Sequence, residues 1–218
     1  ELLDKYEYDN RISMIAGMNH DGITSNISSD YFFTTNISIW GWATWKRVID
    51  QWEGDYAFLN DPEALRQLRD FIKSHKIRKD FFKIAQRHQA SGKEFYETII
   101  SANMLLNSGL SIVPTKNLIS NIGYTGNAVH YTAPLKMMPK ATQRLFQLKQ
   151  YEIEFPLKHP KYIIEETSYK KRVYKLMAWN HPVIKWKRKF ESLFLKIRYG
   201  DIQGIKKALK NTFIGRKL

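Results

Sequence analysis

The chain has 218 residues, 43% of them hydrophobic and 14% aromatic, with 35 Lys and Arg against 21 Asp and Glu for a formal net charge of +14. That apolar share supports a folded core and excludes disorder along the whole length. The lack of any cysteine excludes a disulfide scaffold, a Cys-ligated zinc site and a thiol nucleophile, and no stretch approaches the ~18–20 apolar residues of a membrane span.

In chain order, residues 1–8 read as the end of a helix, and RISMIAG at 11–17 as a short buried strand closed by Gly17. The Asn, Asp, Ser and Gly of 18–30 predict a loop, and Tyr31–Phe33 a short strand. After a turn at Ile39–Gly41, a helix is expected over Ala43–Trp52 with Trp45, Val48, Ile49 and Trp52 on one face. Asp61-Pro62-Glu63 is a helix start, with Asp as N-cap and Pro at the first position. A second helix carries Phe81, Phe82, Ile84 and Ala85 and ends at Gly92. A third spans Tyr96–Leu106, with Ile99, Ile100, Met104 and Leu105 buried, and is stopped by Asn107-Ser108-Gly109. LSIVP at 110–114 is a strand, and 117–132 is a polar, structured loop. Three amphipathic helices follow, marked by Val173, Tyr174, Met177 and Ala178, then by Trp186, Phe190, Leu193, Phe194 and Ile197, then by Ile202, Ile205 and Leu209. No internal repeat is evident.

Charge divides the chain. Residues 1–157 hold 18 basic and 17 acidic side chains, whereas 158–218 hold 17 and 4. A nearly neutral body, 1–157, therefore carries a basic helical tail, 158–218. A nucleic-acid-binding domain would spread its cations over a folded face. Here the aromatic clusters lie away from the basic tail, which argues against nucleic acid and for attraction to an anionic membrane surface.

Three segments carry candidate chemistry. IWGWATW at 39–45 sets Trp40, Trp42 and Trp45 around Gly41. Indole faces suit sugar rings and glycine admits a ligand to the backbone; the competing reading is a Trp-rich core corner. In KEFYETII at 93–100, Glu97 stands in a first helical turn, where the helix dipole favours a carboxylate. It is either a base or a capping residue. In NIGYTGNAVHYT at 121–132, His130 is either a metal ligand or a structural histidine. No HxxxH spacing, catalytic triad order or phosphate-binding loop is present.

Taken together, GMN at 17–19, DYFF at 30–33, SIWGWATWKR at 38–47, FYETII at 95–100 and NSGLSIVPTKNLISNIGYTGNAVH at 107–130 resemble a group of bacterial GT-A glycosyltransferase domains, the nucleotide-diphospho-sugar transferases of cell-surface polysaccharide and glycoprotein gene sets. The resemblance covers about residues 1–165. It implies an α/β fold, the C-terminal, acceptor-side half of a Rossmann-like GT-A domain. In that family a nucleotide-binding half ends in a DxD-type motif. No such motif is found here, and the chain opens on Glu1 rather than Met with no signal peptide, so it is expected to be a piece of a longer protein. Carried over by position, the resemblance makes Glu97 the catalytic base, with Glu where many relatives have Asp, and His130 a ligand to Mn²⁺ or Mg²⁺. Gly41, Trp40 and Trp42 become the loop over the sugars, Asn19 a further substrate contact, and Asn121 and Gly123 the residues that set the His130 loop. The implied partners are a nucleotide-sugar donor and a glycan or lipid-linked glycan acceptor. The expected location is cytoplasmic, at the inner leaflet of the cytoplasmic membrane. The alternative is a non-catalytic carbohydrate-binding or membrane-surface module from a truncated transferase.

Overall fold

The computed structural model describes residues 1–123 and 134–206. The chain forms two compact units, Glu1–Ile119 with Lys149–Tyr174, and Ser120–Leu148 with Lys175–Leu218. The charge asymmetry breaks at 157/158, but residues 158–174 pack into the first unit with the sheet.

The first unit is α/β. A short helix α1 (Leu2–Lys5) leads to strands β1 (Ile12–Ala16), β2 (Tyr31–Thr34) and β3 (Trp42–Ala43), then helices α2 (Lys46–Ile49), α3 (Pro62–Phe71), α4 (His75–Ala90) and α5 (Tyr96–Leu106), and strand β4 (Leu110–Pro114). The sheet is mixed, in the order β2-β4-β1-β3. β1 and β4 run parallel, and β2 and β3 flank them antiparallel. This arrangement is compatible with a Rossmann-like fold. The pairing of β1 with β4 shifts register between Ile12 and Met14. That irregularity breaks the two-residue alternation of the strand. Ile12 and Ile15 pack with Tyr6, Tyr31, Phe33, Trp45 and Ile112, while Met14 packs on Ile100 and Met104 of α5. A third cluster, around Tyr56, Phe58, Leu68, Ala85 and Ile99, joins α3, α4 and α5.

The helix ends follow the expected chemistry. Asp61 accepts the Glu63 N–H at 2.8 Å, capping α3 with Pro62 at its first position. α5 closes with Ser108 in the left-handed region and the Gly109 N–H returning to the Met104 carbonyl at 2.8 Å. Leu105, expected in the core, is only partly buried. The expected helix over Ala43–Trp52 shrinks to the single turn of α2. Trp42 and Ala43 are drawn into the sheet beside β1, and the Thr44 hydroxyl donates to the Ser13 carbonyl at 2.7 Å.

Arg47 locks this corner. Its guanidinium donates to the carbonyls of Glu7 (2.7 Å), Tyr6 (3.0 Å), Asp9 (3.0 Å) and Ile12 (2.9 Å) and lies 4.6 Å from the Trp45 ring. The Trp45 indole N–H donates to the Leu3 carbonyl at 2.8 Å.

Residues 158–174 cover the open side of β2. Phe33 bridges Glu165 in parallel, and the Glu166 N–H donates to the Phe33 carbonyl at 2.8 Å. The helix α7 (Thr167–Leu176) buries Tyr169 and Val173, with the Tyr169 ring edge-on to Phe32 at 4.7 Å.

In the second unit the described elements include a 3₁₀ turn at Leu135–Met137, α6 (Lys140–Phe146) and α8 (Pro182–Arg198). The Lys140 N–H donates to Glu191 at 2.9 Å, and the Arg188 guanidinium donates to the Leu176 carbonyl. Of the expected third tail helix, 202–206 is helical, and Leu209 lies outside the described residues. Among the described residues no helix is long and apolar enough to cross a membrane.

Candidate functional site

In sheets with parallel strands, ligands collect where the strands end at their carboxyl termini. β1 and β4 end side by side, and the loops that leave them are tied together. The Asn19 N–H donates to Asn117 Oδ1 at 3.1 Å, the Asn117 N–H to the Gly22 carbonyl at 2.8 Å, and the Leu118 N–H to the Gly17 carbonyl at 2.9 Å. α5 enters β4 through a tight turn, so it runs antiparallel to it. With Ile100 and Met104 seated on Met14, the first turn of α5 lies toward the end of the sheet where β1 gives way to Gly17. Topology thus brings Glu97 to the same end as Gly41 and Trp42, across more than fifty residues of sequence.

That first turn is held from two sides. The Tyr56 hydroxyl donates to the Lys93 carbonyl at 3.1 Å and accepts the Phe95 N–H at 2.9 Å. His88 is hydrogen-bonded through Nδ1 to the Thr98 hydroxyl at 2.9 Å, and its ring stacks on Phe95 with centroids 3.8 Å apart. Burial lowers the His88 pKa, so a neutral ring buttresses the turn. Among the described residues the Glu97 carboxylate accepts no hydrogen bond; only its carbonyl is engaged, by the Ser101 hydroxyl at 2.6 Å. The carboxylate is partly buried at the positive end of α5.

An aromatic row ends at Tyr96, the residue before Glu97. Trp42 stacks on Trp52 with centroids 6.2 Å apart and planes at 27°, and Trp52 meets Tyr96 at 5.8 Å and 39°. Tyr96, next to Glu97, is 53% exposed. The row has an inner side against Met14, Ile100 and Met104 and ends at solvent. The Trp52 indole N–H is buried and has no partner among the described residues. A donor in that state costs about 1–3 kcal/mol.

The residues singled out from sequence fall in different places. Trp42 belongs to the row, and Trp40 is half-buried in the preceding turn. Gly41 has φ +58°, and its carbonyl accepts the Gly17 N–H at 2.7 Å. Ile119 fills the space that side chains on Gly17 and Gly41 would need: a Cβ would stand 2.7 Å and 2.8 Å, respectively, from its Cγ2. The two glycines therefore admit Ile119. Asn19 is wholly buried and its amide is engaged. Nδ2 donates to Thr24 Oγ1 and to the Pro114 and Thr115 carbonyls at 2.9–3.0 Å, and Oδ1 accepts the Asp21 N–H at 2.9 Å. It shapes the loop after β1 from within. Asn121 belongs to the second unit, where its Oδ1 accepts the Gly123 N–H at 2.7 Å.

His130, the expected ligand for Mn²⁺ or Mg²⁺, lies outside the described residues. Among the described residues no group of three or more His, Cys, Asp or Glu is placed to hold a metal ion.

Beside the glycines, His20 is buried with its Nδ1 and its N–H each 3.1 Å from the Tyr169 hydroxyl. Burial pushes its pKa down to about 4 against the opposing pull of Asp21, so the ring is neutral at neutral pH. Asp21 pairs with Arg172 at 2.8 Å.

Trp52, Tyr96 and Ile119 complete this region and were not singled out by sequence. Nothing in their spacing signals it: the crossing of α5 over β1 brings Tyr96 to Trp52, and the tied loops after β1 and β4 bring Ile119 to the two glycines.

Comparison of the chain with protein-family models, with curated proteins and with solved structures finds no match.

Proposed function

We propose that the first unit is the acceptor side of a GT-A-type glycosyltransferase, with Glu97 as the base that takes the acceptor proton. The observation that supports this reading is the ring row Trp42, Trp52 and Tyr96, which ends at the residue before Glu97, a first-turn glutamate whose carboxylate has no hydrogen-bond partner among the described residues. Apolar ring faces pack against the C–H faces of sugars. A row of them beside the helical turn that carries a carboxylate suits a glycan whose terminal hydroxyl must lose a proton.

The chemistry is a single displacement. The acceptor oxygen forms a bond to the anomeric carbon of the donor sugar while the bond from that carbon to the diphosphate oxygen breaks, its electron pair leaving with the nucleoside diphosphate. The hydroxyl proton passes to a Glu97 oxygen. A free alcohol is a poor nucleophile at neutral pH, so removing its proton as the bond forms contributes about 10²–10⁴ in rate. Inversion at the anomeric carbon is the expected outcome. Tyr56 and His88 act as positioning residues, since they hold the turn that carries Glu97. The donor is a nucleotide-diphospho-sugar and the acceptor a cell-envelope glycan or lipid-linked glycan.

The test measures sugar transfer from nucleotide-diphospho-sugars by the protein that carries this chain. Glu97→Gln should lower kcat by about 10²–10⁴ with little change in the acceptor KM, and Tyr96→Ala should raise the acceptor KM. Unchanged turnover in Glu97→Gln rejects the assignment. Oligosaccharide binding measured by saturation-transfer NMR, without any turnover, would point to the non-catalytic carbohydrate-binding reading.

A further inference from the structure

Helix α8 has two unlike faces. Ile184, Arg188, Glu191 and Leu195 turn inward and are partly buried, with Arg188 bonded to the Leu176 carbonyl and Glu191 to the Lys140 N–H. On the opposite side Val183, Trp186, Phe190, Phe194 and Ile197 recur at spacings of three and four and form one stripe along the helix. Each is exposed, from 57% at Trp186 to 78% at Val183, and the Trp186 and Phe190 rings lie 6.0 Å apart. A row of large apolar side chains left in water at every turn is costly unless something covers it.

The flanks of the stripe say what covers it. At 100° per residue, Lys187 and Arg198 border it on one side and Lys185, Lys189 and Lys196 on the other. The Lys189 ammonium lies 5.2 Å from the Trp186 ring. Glu191, the sole acidic residue of α8, is on the inward face. An apolar stripe between two rows of cations, on a helix of 17 residues, is the pattern of a helix lying in the plane of a lipid interface. A protein partner that covered the stripe would have to match cations on both sides. An anionic bilayer does so by its ordinary composition, with acyl chains beneath the stripe and headgroup phosphates beside the flanks.

We infer that α8 is an in-plane membrane anchor that binds anionic lipid surfaces, its Val183, Trp186, Phe190, Phe194 and Ile197 edge entering the acyl boundary and its Lys187, Lys189 and Arg198 contacting the headgroups. This inference is independent of the role of Glu97. The rest of the basic segment strengthens the attraction, since residues 158–218 hold 17 basic against 4 acidic side chains.

The experiment is co-sedimentation of the full chain with vesicles of phosphatidylcholine alone and of phosphatidylcholine mixed with phosphatidylglycerol. The chain should pellet with the anionic vesicles and be released by salt. Lys187→Gln with Lys189→Gln should lower the partition coefficient about 25-fold, at about fivefold per charge. Phe190→Ser should lower it about tenfold or more. The same charge change on α4, Lys79→Gln with Lys83→Gln, should leave it within about twofold, because these exposed lysines adjoin no apolar stripe. Circular dichroism of each variant confirms that the fold is kept, and the substituted side chains of α8 point outward. Equal pelleting on both vesicle types, or an equal loss in the α4 variant, overturns the inference. So does a dimer in sedimentation velocity that Phe190→Ser dissolves in a chain that ignores vesicles, for then a second copy covers the stripe.

Discussion

Replacing Gly17 by Ala puts a methyl carbon 2.7 Å from Ile119 Cγ2 and 3.0 Å from the Gly41 carbonyl oxygen. Carbon atoms in contact prefer about 3.5–4.0 Å, so either Ile119 or the strand end must move. Gly17 does not have positive φ, so alanine meets no backbone penalty there. The cost is overpacking, about 1–3 kcal/mol, less a few tenths recovered from the stiffer unfolded chain. Gly41 differs: at φ +58° a side chain adds about 1–2 kcal/mol of backbone strain to its 2.8 Å clash with the same Cγ2. The two glycines can therefore be separated by a cycle with Ile119→Ala. Shortening Ile119 removes the atom both would strike, so the penalty of Gly17→Ala should fall by at least ~1 kcal/mol in the Ile119→Ala background, while Gly41→Ala keeps its backbone share. Urea unfolding followed by tryptophan fluorescence gives the midpoints. Equal penalties for Gly17→Ala with and without Ile119 would refute the view that this glycine exists to seat the isoleucine.

Other expectations follow from the same geometry. Arg47→Met should destabilise the first unit by about 2–4 kcal/mol, since it strands four carbonyls now served by one cation; a urea midpoint within error of the parent would show that water replaces the guanidinium. The folded pKa of His20 is lowered to about 4, below its unfolded value near 6.5, so the unfolded chain binds the extra proton first. Stability should then fall as pH drops from about 6.5 toward 4, by up to about 3 kcal/mol, and be flat above that window with respect to this group. His20→Gln should flatten that slope in part, because His88 is shifted in the same direction; an unaltered slope in urea midpoints across that pH range would exclude His20 as its source. Tyr56→Phe should remove the hydroxyl that joins Lys93 and Phe95 and lower amide-exchange protection least in β4 and most in the first turn of α5; a uniform change would deny Tyr56 its local role.

The sequence carried local structure well where one signal acted alone. Asp61-Pro62 started α3, the apolar spacing of 96–106 gave α5 end to end, and LSIVP gave β4. The reading of 43–52 as a helix erred because two influences competed. The helical spacing of Trp45, Val48, Ile49 and Trp52 was real, but pairing of Trp42 and Ala43 with β1 and the Arg47 clamp limited the helix to one turn. The WGWATWKR segment shows how a motif divides once folded. Trp45 and Arg47 fasten α1 and β1, Gly41 yields to Ile119, and Trp42 faces the aromatic row. No spacing within the segment distinguishes those duties. The row itself was illegible because Trp42, Trp52 and Tyr96 are brought together by a crossover whose register is set by Met14 and Ile100.

The way residues 158–174 return to the first unit bears on how the protein can be cut. A chain ended at Leu157, where the composition changes, would lose Tyr169 and Val173 from the core and Glu165 and Glu166 from the margin of β2. Phe32 and Phe33 would then sit on a naked strand border with free amides and carbonyls. Such a border recruits its own kind, and the shortened protein should polymerise sideways instead of staying in solution.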